Sequence, residues 1–295
     1  MRIDEWVEVV PSPEEQHNGL SWLRAAEKHL EEARCNGDAY EIERCMYRVQ
    51  IARDYGFSTL VTRADKSSTW HVFERDGAPC AEASESSAKR KSPLPFAVPS
   101  RLHGDDPFRR SYSPPPSNAV RVKDGWLVAS NFGEFGAWLD WFSETGDSTY
   151  EISNHHVVDF VQVEGNLMAV EGLAHLSLST GSVIRLVQLS DRWMVEEVAP
   201  LPAAPRIGLA HLNSILIVHG DGLARSTASG SLEQLVRFPY LGRLYPESAL
   251  IHGQKLYVGM RGYVWEVDLE TKAARLLAPR SIGDCAAESK TNRAE

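Results

Sequence analysis

The chain has 295 residues, 43% of them hydrophobic, and a formal net charge of −9. This length allows one large domain or two small ones, with enough apolar residues for a buried core. The acidic balance disfavours nucleic-acid binding, because phosphate contacts require clustered Lys and Arg. No run approaches the roughly 18 apolar residues of a transmembrane helix, and the charged N-terminus lacks the apolar core of a secretory signal. We therefore expect a cytoplasmic protein without a membrane partner.

The N-terminal segment predicts a short strand and two helices. Residues 2–10 alternate loosely and favour the strand, and Ser12, Pro13 and Glu15 then form a helix start with a capping box. Glycines at 37 and 56 end the two helices, which are predicted to form an antiparallel αα-hairpin. The apolar faces are Leu20, Leu23, Ala26, Leu30 and Ala33 in the first helix, and Ile42, Cys45, Met46, Val49 and Ala52 in the second. The hairpin either covers a hydrophobic surface of the following domain or docks a partner.

The next residues predict a β-hairpin followed by a linker. Residues 57–62 and 69–74 are rich in β-branched and aromatic side chains, so the N-terminal domain is predicted to span 1–77. Ser and Pro accumulate over 78–118, which indicates a linker or a long surface loop. Its basic triplet, Lys89 to Lys91, is either a solvated charge run or a contact for an acidic partner.

One apolar pattern returns four times within a repeat domain predicted over 119–280, before a polar tail at 281–295. The four copies align on Leu127, Leu167, Ile215 and Leu256, at intervals of 40, 48 and 41 residues. Each copy is predicted to form a strand, turn at a glycine and enter a second strand; the glycines are Gly133, Gly172, Gly222 and Gly262. In the second copy, a further turn is predicted near Ser179 to Gly181.

A period of about 40 residues with several short strands is typical of β-propeller blades. The predicted fold is mainly β, with a propeller-like domain of four to five blades and an N-terminal αα-hairpin. The β-hairpin at 57–75 would supply an additional blade, and residues 2–10 could close the domain by pairing with its last strands. An irregular β-sandwich is the alternative.

Four strings carry a resemblance to a known group of proteins. They are Gly133-Glu-Phe-Gly136, Glu171-Gly-Leu-Ala-His-Leu176, Tyr245-Pro-Glu-Ser248 and Gly259-Met-Arg261. They resemble an uncharacterised family of bacterial propeller-like proteins. The resemblance implies the propeller-like fold and carries over no activity.

Glu134, Glu171, His175 and Arg261 are the candidate pocket residues. Both glutamates adjoin glycines, and propeller ligands bind where inner strands and their loops converge. Two carboxylates held together could act as general acid and base, or could bind a divalent cation through their oxygens. Alternatively, the glutamates mark blade turns and His175 is a hydrogen-bonded residue near the core.

The sequence assigns no catalytic residue, metal site or cofactor. The four cysteines lack the C-x-x-C spacing of zinc sites. His155 and His156 are adjacent, so on a strand they would point to opposite faces and could not bind one metal ion together. A polar loop is therefore the better interpretation of this pair. The glycine and serine motifs of common hydrolases and nucleotide-binding proteins are missing.

These patterns support two functional hypotheses. The first is a non-catalytic module that holds a protein partner, for example as an immunity or accessory protein. The second is an enzyme or small-ligand binder that uses the four candidate pocket residues.

Overall fold

A computed structural model describes residues 1–10, 13–37, 39, 41–42, 45–46, 60–62, 64, 67–84, 94–98, 118–176, 178–238 and 241–280, with the backbone alone for 13–20 and 84. Within these residues the chain forms one long helix, nineteen strands and three 3-10 turns. The helix α1 spans Pro13–Asn36, and the 3-10 turns span Ile3–Glu5, Gly133–Phe135 and Leu241–Leu244. The predicted tail at 281–295 lies outside the described residues.

The strands follow one another closely from residue 118 onward. In chain order they are β1 (Val7–Val9), β2 (Thr69–Arg75), β3 (Ala78–Ser84), β4 (Asn118–Val122), β5 (Gly125–Asn131), β6 (Ala137–Phe142), β7 (Thr149–Ser153), β8 (Val157–Val163), β9 (Asn166–His175), β10 (Leu178–Leu189), β11 (Arg192–Leu201), β12 (Pro205–His211), β13 (Ser214–His219), β14 (Gly222–Thr227), β15 (Leu232–Arg237), β16 (Ser248–His252), β17 (Lys255–Gly259), β18 (Val264–Asp268) and β19 (Ala274–Ala278).

The predicted mainly β class is confirmed, and the chain divides into two compact units. The middle unit is Ser87–Gly242, and the terminal unit joins Met1–Ser86 to Arg243–Glu295. These limits differ from the predicted domain boundaries at 77 and 118. They differ because strands near the N-terminus pack with the last strands of the chain.

The middle unit contains three four-stranded antiparallel meanders of the propeller-blade type. The strand orders are β4-β5-β6-β7, β11-β10-β9-β8 and β12-β13-β14-β15. The strand that comes second in chain order within each sheet (β5, β9 or β13) carries one copy of the repeated apolar pattern, as predicted. The first strands lie together, since β8 packs against both β4 and β12.

The turns predicted in the second copy are wrong. β9 runs straight through Gly172 and turns only after His175, and Ser179 to Gly181 lie inside β10. Gly172 and Gly181 are cross-strand partners, and a Cβ on either would come within 2.7 Å of Pro205 Cδ. The two glycines therefore provide room for the proline ring, which is a packing role rather than a turn role.

Asp159 connects all three first strands of the middle unit. Its Oδ1 accepts a hydrogen bond of 2.9 Å from Asn118 Nδ2 of β4, and its Oδ2 accepts one of 2.9 Å from the Gly208 amide of β12. Gly208 is required for this approach, because a Cβ there would lie 2.9 Å from Val170 Cγ2. Hydrogen bonds to a charged acceptor are stronger than neutral ones, so Asp159 ties the neighbouring sheets together.

Alternating side chains from facing sheets form the core. Between the first two sheets, Leu127, Leu139, Val157, Ala169 and Ile184 are buried against one another. A second cluster fills the space between the second and third sheets and consists of Val161, Val163, Met168, Val170, Val183, Leu201, Ile215 and Ile217. Because these strands are buried on both faces, the repeated pattern is a continuous run of apolar residues instead of alternating apolar and polar ones.

The terminal unit places the N-terminal strand beside the last strands, in the order β1-β19-β18-β17-β16. Val7 pairs with Ala278 and Val9 with Leu276. The strand predicted within residues 2–10 is confirmed, and it does pair with the end of the chain. Ile3 and Trp6 are buried in the same core as Val72, Tyr257 and Leu277.

The β-hairpin lies later in the chain than predicted. It joins β2 to β3 through Asp76 and Gly77, both with positive φ, so residues 78–84 belong to a strand and not to the linker. A two-residue Asp-Gly turn is a strong hairpin signal. The sequence did not predict β3 because its small side chains have low β-propensity. In the structure, pairing with β2 and burial outweigh that preference. The hairpin packs through β2 against β16 and β17.

The predicted strand at 57–62 is wrong where the structure describes it. Leu60, Val61, Thr62 and Ala64 are helical, while 57–59 lie outside the described residues. Leu60 and Ala64 are buried, and the Tyr263 hydroxyl donates to the Leu60 carbonyl oxygen over 3.1 Å. Tertiary burial therefore decides the local conformation against a β-prone sequence.

Helix α1 ends where predicted, at Gly37 with φ +71°. Its apolar face, which includes Ala26, Leu30 and Ala33, packs against Cys45 and Ile42. The capping residue Ser12 and most of the second predicted helix, including Val49 and Ala52, lie outside the described residues. The αα-hairpin as a whole stays a prediction. Within the described part of the chain, no helix combines the length and apolar character of a membrane span.

A buried carboxylate links the strands of the terminal unit. Glu266 on β18 accepts hydrogen bonds from Lys255 Nζ at 3.1 Å and Arg275 Nε at 2.9 Å. Burial opposes ionisation, but these cationic donors outweigh it and lower the pKa of Glu266. Burial, together with the nearby Glu266 charge, raises the pKa of Tyr257 to about 12.

We predict that Asp159→Ala lowers the free energy of unfolding by about 2–3 kcal/mol, because Asn118 and the Gly208 amide lose a charged acceptor. Urea denaturation followed by circular dichroism measures this change. Asp191→Ala is the control, since Asp191 is exposed in a turn and should change stability by less than about 0.5 kcal/mol. Equal effects of the two substitutions would contradict the assignment.

Candidate functional site

One end of the middle unit collects the chemically interesting side chains. Because the strands alternate in direction, the turn after each second strand lies at the same end as the link to the next sheet. This end, termed the site end, comprises 132–136, 154–156, 175–176, 178, 202–204 and 220–221. The opposite end carries the other turns, including the one at Leu212.

The turn between β5 and β6 presents Glu134 and Phe135. Asn131 Oδ1 accepts a 2.9 Å hydrogen bond from the Gly133 amide. Gly133 and Gly136 have φ of +60° and +111°, conformations that other residues rarely adopt. The two glycines thus allow a tight 3-10 turn whose central side chains point outward, as the exposure of Phe135 shows.

Glu134 is in direct contact with His175. The imidazole Nδ1 faces Glu134 Oε2, and both side chains are about two-fifths exposed, at 41% for His175 and 38% for Glu134. A carboxylate bound to Nδ1 orients the ring and leaves Nε2 for another group. The structure therefore brings together two of the four predicted residues, from turns of adjacent sheets.

Glu171 has a different partner. Its Oε1 accepts a 2.6 Å hydrogen bond from Ser182 Oγ, directly across the ladder between β9 and β10. Glu171 and His175 are four residues apart on one strand, a separation of roughly 13 Å between their Cα atoms at the usual rise per residue. Glu134 therefore contacts His175, whereas Glu171 contacts Ser182.

Arg261 belongs to the terminal unit and has its own contacts there. Its guanidinium lies 4.3 Å from the centre of the Tyr245 ring, and its amide donates to the Leu244 carbonyl oxygen at 2.7 Å. Cation–π stacking of this kind holds the side chain in place.

His156 joins the site from the link between β7 and β8. Its Nδ1 lies 3.2 Å from Asn131 Oδ1, and its carbonyl oxygen accepts from the Gly172 amide at 3.0 Å. Burial lowers the pKa of His156, although the nearby Glu171 carboxylate opposes the shift. Sequence reasoning placed this histidine correctly in a loop and missed its partners, which come from residues 25 and 16 positions away in the chain.

The neighbouring histidine has a separate contact. His155 Nδ1 lies 2.9 Å from Ser153 Oγ. Across the part of the chain that the structure describes, no three His, Cys, Asp or Glu side chains are grouped in a way that could hold a metal ion.

Exposed apolar side chains surround the Glu134–His175 pair. Phe135 is 66% exposed, Leu176 93% and Leu178 48%. Leu176 also has a positive φ of 51°, which is unusual for a leucine. These three residues form what we term the apolar rim.

Comparisons with known proteins leave the family open. No family model and no curated protein matches the sequence. The resemblance carried by the strings around Glu134, Glu171, Tyr245 and Arg261 therefore stays untested.

Among solved structures, the similarities are distant. A gluconolactonase from Xanthomonas campestris has a TM-score of 0.37 and 10% identity over 55% of this chain and 57% of its own. Virginiamycin B lyase from Staphylococcus aureus has a TM-score of 0.40 and 9% identity over 73% of this chain and 85% of the lyase. The extracellular domain of a two-component system from B. thetaiotaomicron has a TM-score of 0.39 and 11% identity over 72% and 28%. The chain thus spans little more than half of the gluconolactonase and about a quarter of the last protein. No activity transfers at this distance.

We predict that Glu171→Gln lowers the pKa of His156 further, because Glu171 is the group that stabilises the imidazolium. A titration of the histidine ring signals by NMR measures the shift, and His156→Asn assigns the resonance. Glu164→Gln, at the opposite end of β9, should leave it unchanged. A rise of the His156 pKa in the Glu171 variant would contradict the arrangement.

Proposed function

We propose that this chain is a non-catalytic protein-interaction module that binds its partner through the site end of the middle unit. The observation that carries the proposal is the apolar rim, Phe135, Leu176 and Leu178, around the Glu134–His175 pair. Exposed apolar groups beside polar ones mark protein-binding surfaces. A cytoplasmic location is part of this proposal.

The contact surface is held by rigid strands. β5 is buried over the middle of its length and β9 is buried at Met168 to Val170, and the turns that carry Phe135 and Leu176 each connect two paired strands. A surface that is already ordered loses little conformational entropy when it binds. Large side chains on such a support are the ones that dominate interface energies.

The charges favour a partner with basic residues around an apolar patch. Glu134 lies at the site end, and the chain carries a net charge of −9. Complementary charge accelerates association and selects the partner. An immunity or accessory protein that covers the active site of a basic target is one form of this function.

The fold proposed for the module is a propeller-like domain of four to five blades with an N-terminal αα-hairpin. Three of these blades correspond to the three sheets of the middle unit. The five-stranded sheet and the β2–β3 hairpin of the terminal unit support a total of four to five. The contact of Ile42 and Cys45 with α1 supports the αα-hairpin.

A second function rests on the Glu134–His175 contact. A histidine that is oriented by a carboxylate can accept a proton at Nε2, so the site end would act as a small-ligand or enzyme site. The other two predicted pocket residues have separate contacts, since Glu171 binds Ser182 and Arg261 stacks on Tyr245 in the terminal unit.

We predict that Phe135→Ser with Leu176→Asn reduces partner capture at least about tenfold, because the binding energy of two anchors is lost. The measurement is a pull-down from the host lysate with quantitative mass spectrometry. Leu212→Asn is the matched control: Leu212 is 86% exposed with φ 52°, but it lies at the opposite end. A partner that binds wild type and the double variant equally would refute this surface.

The alternative function gives a separate expectation. Glu134→Gln and His175→Gln should each abolish the rise in melting temperature that a bound ligand causes, because the oriented imidazole is lost. The ligand-free proteins should melt within a few degrees of wild type, since both side chains are partly exposed. A metabolite screen by thermal shift provides the ligand, and Glu164→Gln is the control. A ligand response that survives both substitutions would exclude this site.

A further inference from the structure

A cleft of about 450 Å³ opens in the terminal unit, lined by Met1, Asp4, Glu5, Trp6 and Arg280. Its volume lies within the range of small-molecule sites. It involves none of the residues of the site end, so a ligand bound in this cleft is independent of the proposed function.

One wall of the cleft is a fixed aromatic residue with an unused donor. Trp6 is 7% exposed and packs edge-on against Trp70, with ring centres 4.7 Å apart. Its amide donates to the Ile3 carbonyl oxygen at 3.0 Å, which fixes the backbone. The indole nitrogen is buried and has no hydrogen-bond partner among the described residues. Protein atoms enclose this nitrogen, so the indole contributes apolar surface to the cleft rather than a donor.

Two of the charged groups at the cleft have hydrogen-bond partners. Both carboxylate oxygens of Asp4 accept hydrogen bonds from Arg2, at 3.2 and 2.7 Å. The N-terminal ammonium donates to the Ala81 carbonyl oxygen at 2.8 Å. Asp4 and Arg2 thus neutralise each other, whereas the N-terminal ammonium keeps its positive charge because its acceptor is uncharged.

Two exposed side chains at the cleft, Glu5 and Arg280, carry opposite charges. Neither the Glu5 carboxylate nor the Arg280 guanidinium forms an ion pair or a side-chain hydrogen bond with any residue in the described ranges. The cleft therefore offers the Glu5 carboxylate to a cationic group of a ligand, and the Arg280 guanidinium and the N-terminal ammonium to an anionic one. A guanidinium binds a carboxylate through two parallel N–H bonds, and a carboxylate binds an ammonium group.

We propose that this cleft binds a free α-amino acid. Arg280 holds the ligand carboxylate, Glu5 holds its ammonium group, and the apolar surfaces of Met1 and Trp6 contact an apolar side chain. A thioether and an indole ring suit aliphatic and aromatic side chains. A single charged group of either sign would leave Glu5 or Arg280 unpaired, so the cleft selects a zwitterion.

Isothermal titration calorimetry on the full chain tests the proposal. The probes are L-leucine and L-phenylalanine, with isoamylamine and phenethylamine as the analogues without a carboxylate, and isocaproate and hydrocinnamate as those without an amine. We expect at least one amino acid to bind, and both of its analogues to bind at least about tenfold more weakly, a difference of about 1.4 kcal/mol.

Variants then assign the contacts. Glu5→Gln and Arg280→Gln should each weaken amino-acid binding at least about tenfold, whereas Glu82→Gln, an exposed glutamate on β3, should not change it. Both cleft side chains are exposed, so the melting temperature of the unliganded variants should match that of wild type. The absence of binding by every amino acid, equal binding of an analogue, or wild-type affinity in both cleft variants would each overturn the proposal.

Discussion

The Asp159 carboxylate is the interaction on which the middle unit depends. Each of the three sheets is a local meander and cannot bury both of its faces alone. Asp159 lies on the first strand of the second sheet, and its two oxygens reach the first strands of the sheets on either side. In the low dielectric of a partly buried site, these bonds fix the spacing between sheets as well as stabilising them. Gly208 is the matching requirement, because any larger residue would hold the third sheet too far away.

In the terminal unit, the N-terminal residues complete the sheet formed by the last strands of the chain. Residues 1–9 contribute a strand beside β19 and two buried side chains, Ile3 and Trp6, that pack with the β2–β3 hairpin. Glu266 adds a charge network that reaches β17 and β19. Covering the edge of β19 with β1 removes a row of unpaired backbone groups that would otherwise be open to aggregation. The same segment also shapes the cleft at Trp6.

The site end shows how rigid strands create a surface from distant residues. Glu134 and His175 belong to different sheets, and their contact exists because those sheets pack face to face. Each was recognisable in the sequence, as a glutamate between two glycines and as a histidine in an apolar strand. Asn131, which bonds to Gly133 and His156, and Ser182, which bonds to Glu171, carried no local signal, since these contacts form only in the folded chain. No sequence pattern distinguished Phe135 and Leu176, and their exposure follows from the positions of the turns.

The sequence by itself determined the mainly β class, the four apolar strands of the repeat, helix α1 and its end at Gly37, and the short strand near the N-terminus. These features depend on periodicity, caps and turn residues, which act over a few positions. Only the tertiary structure decided that β1 pairs with β19, that Leu60 to Thr62 are helical, and that Gly172 lies inside a strand opposite Gly181. It also decided that Glu134 meets His175 while Glu171 meets Ser182. The physical reason is the same in each case: burial and strand pairing between residues far apart in the chain outweigh local preferences of a fraction of a kcal/mol per residue.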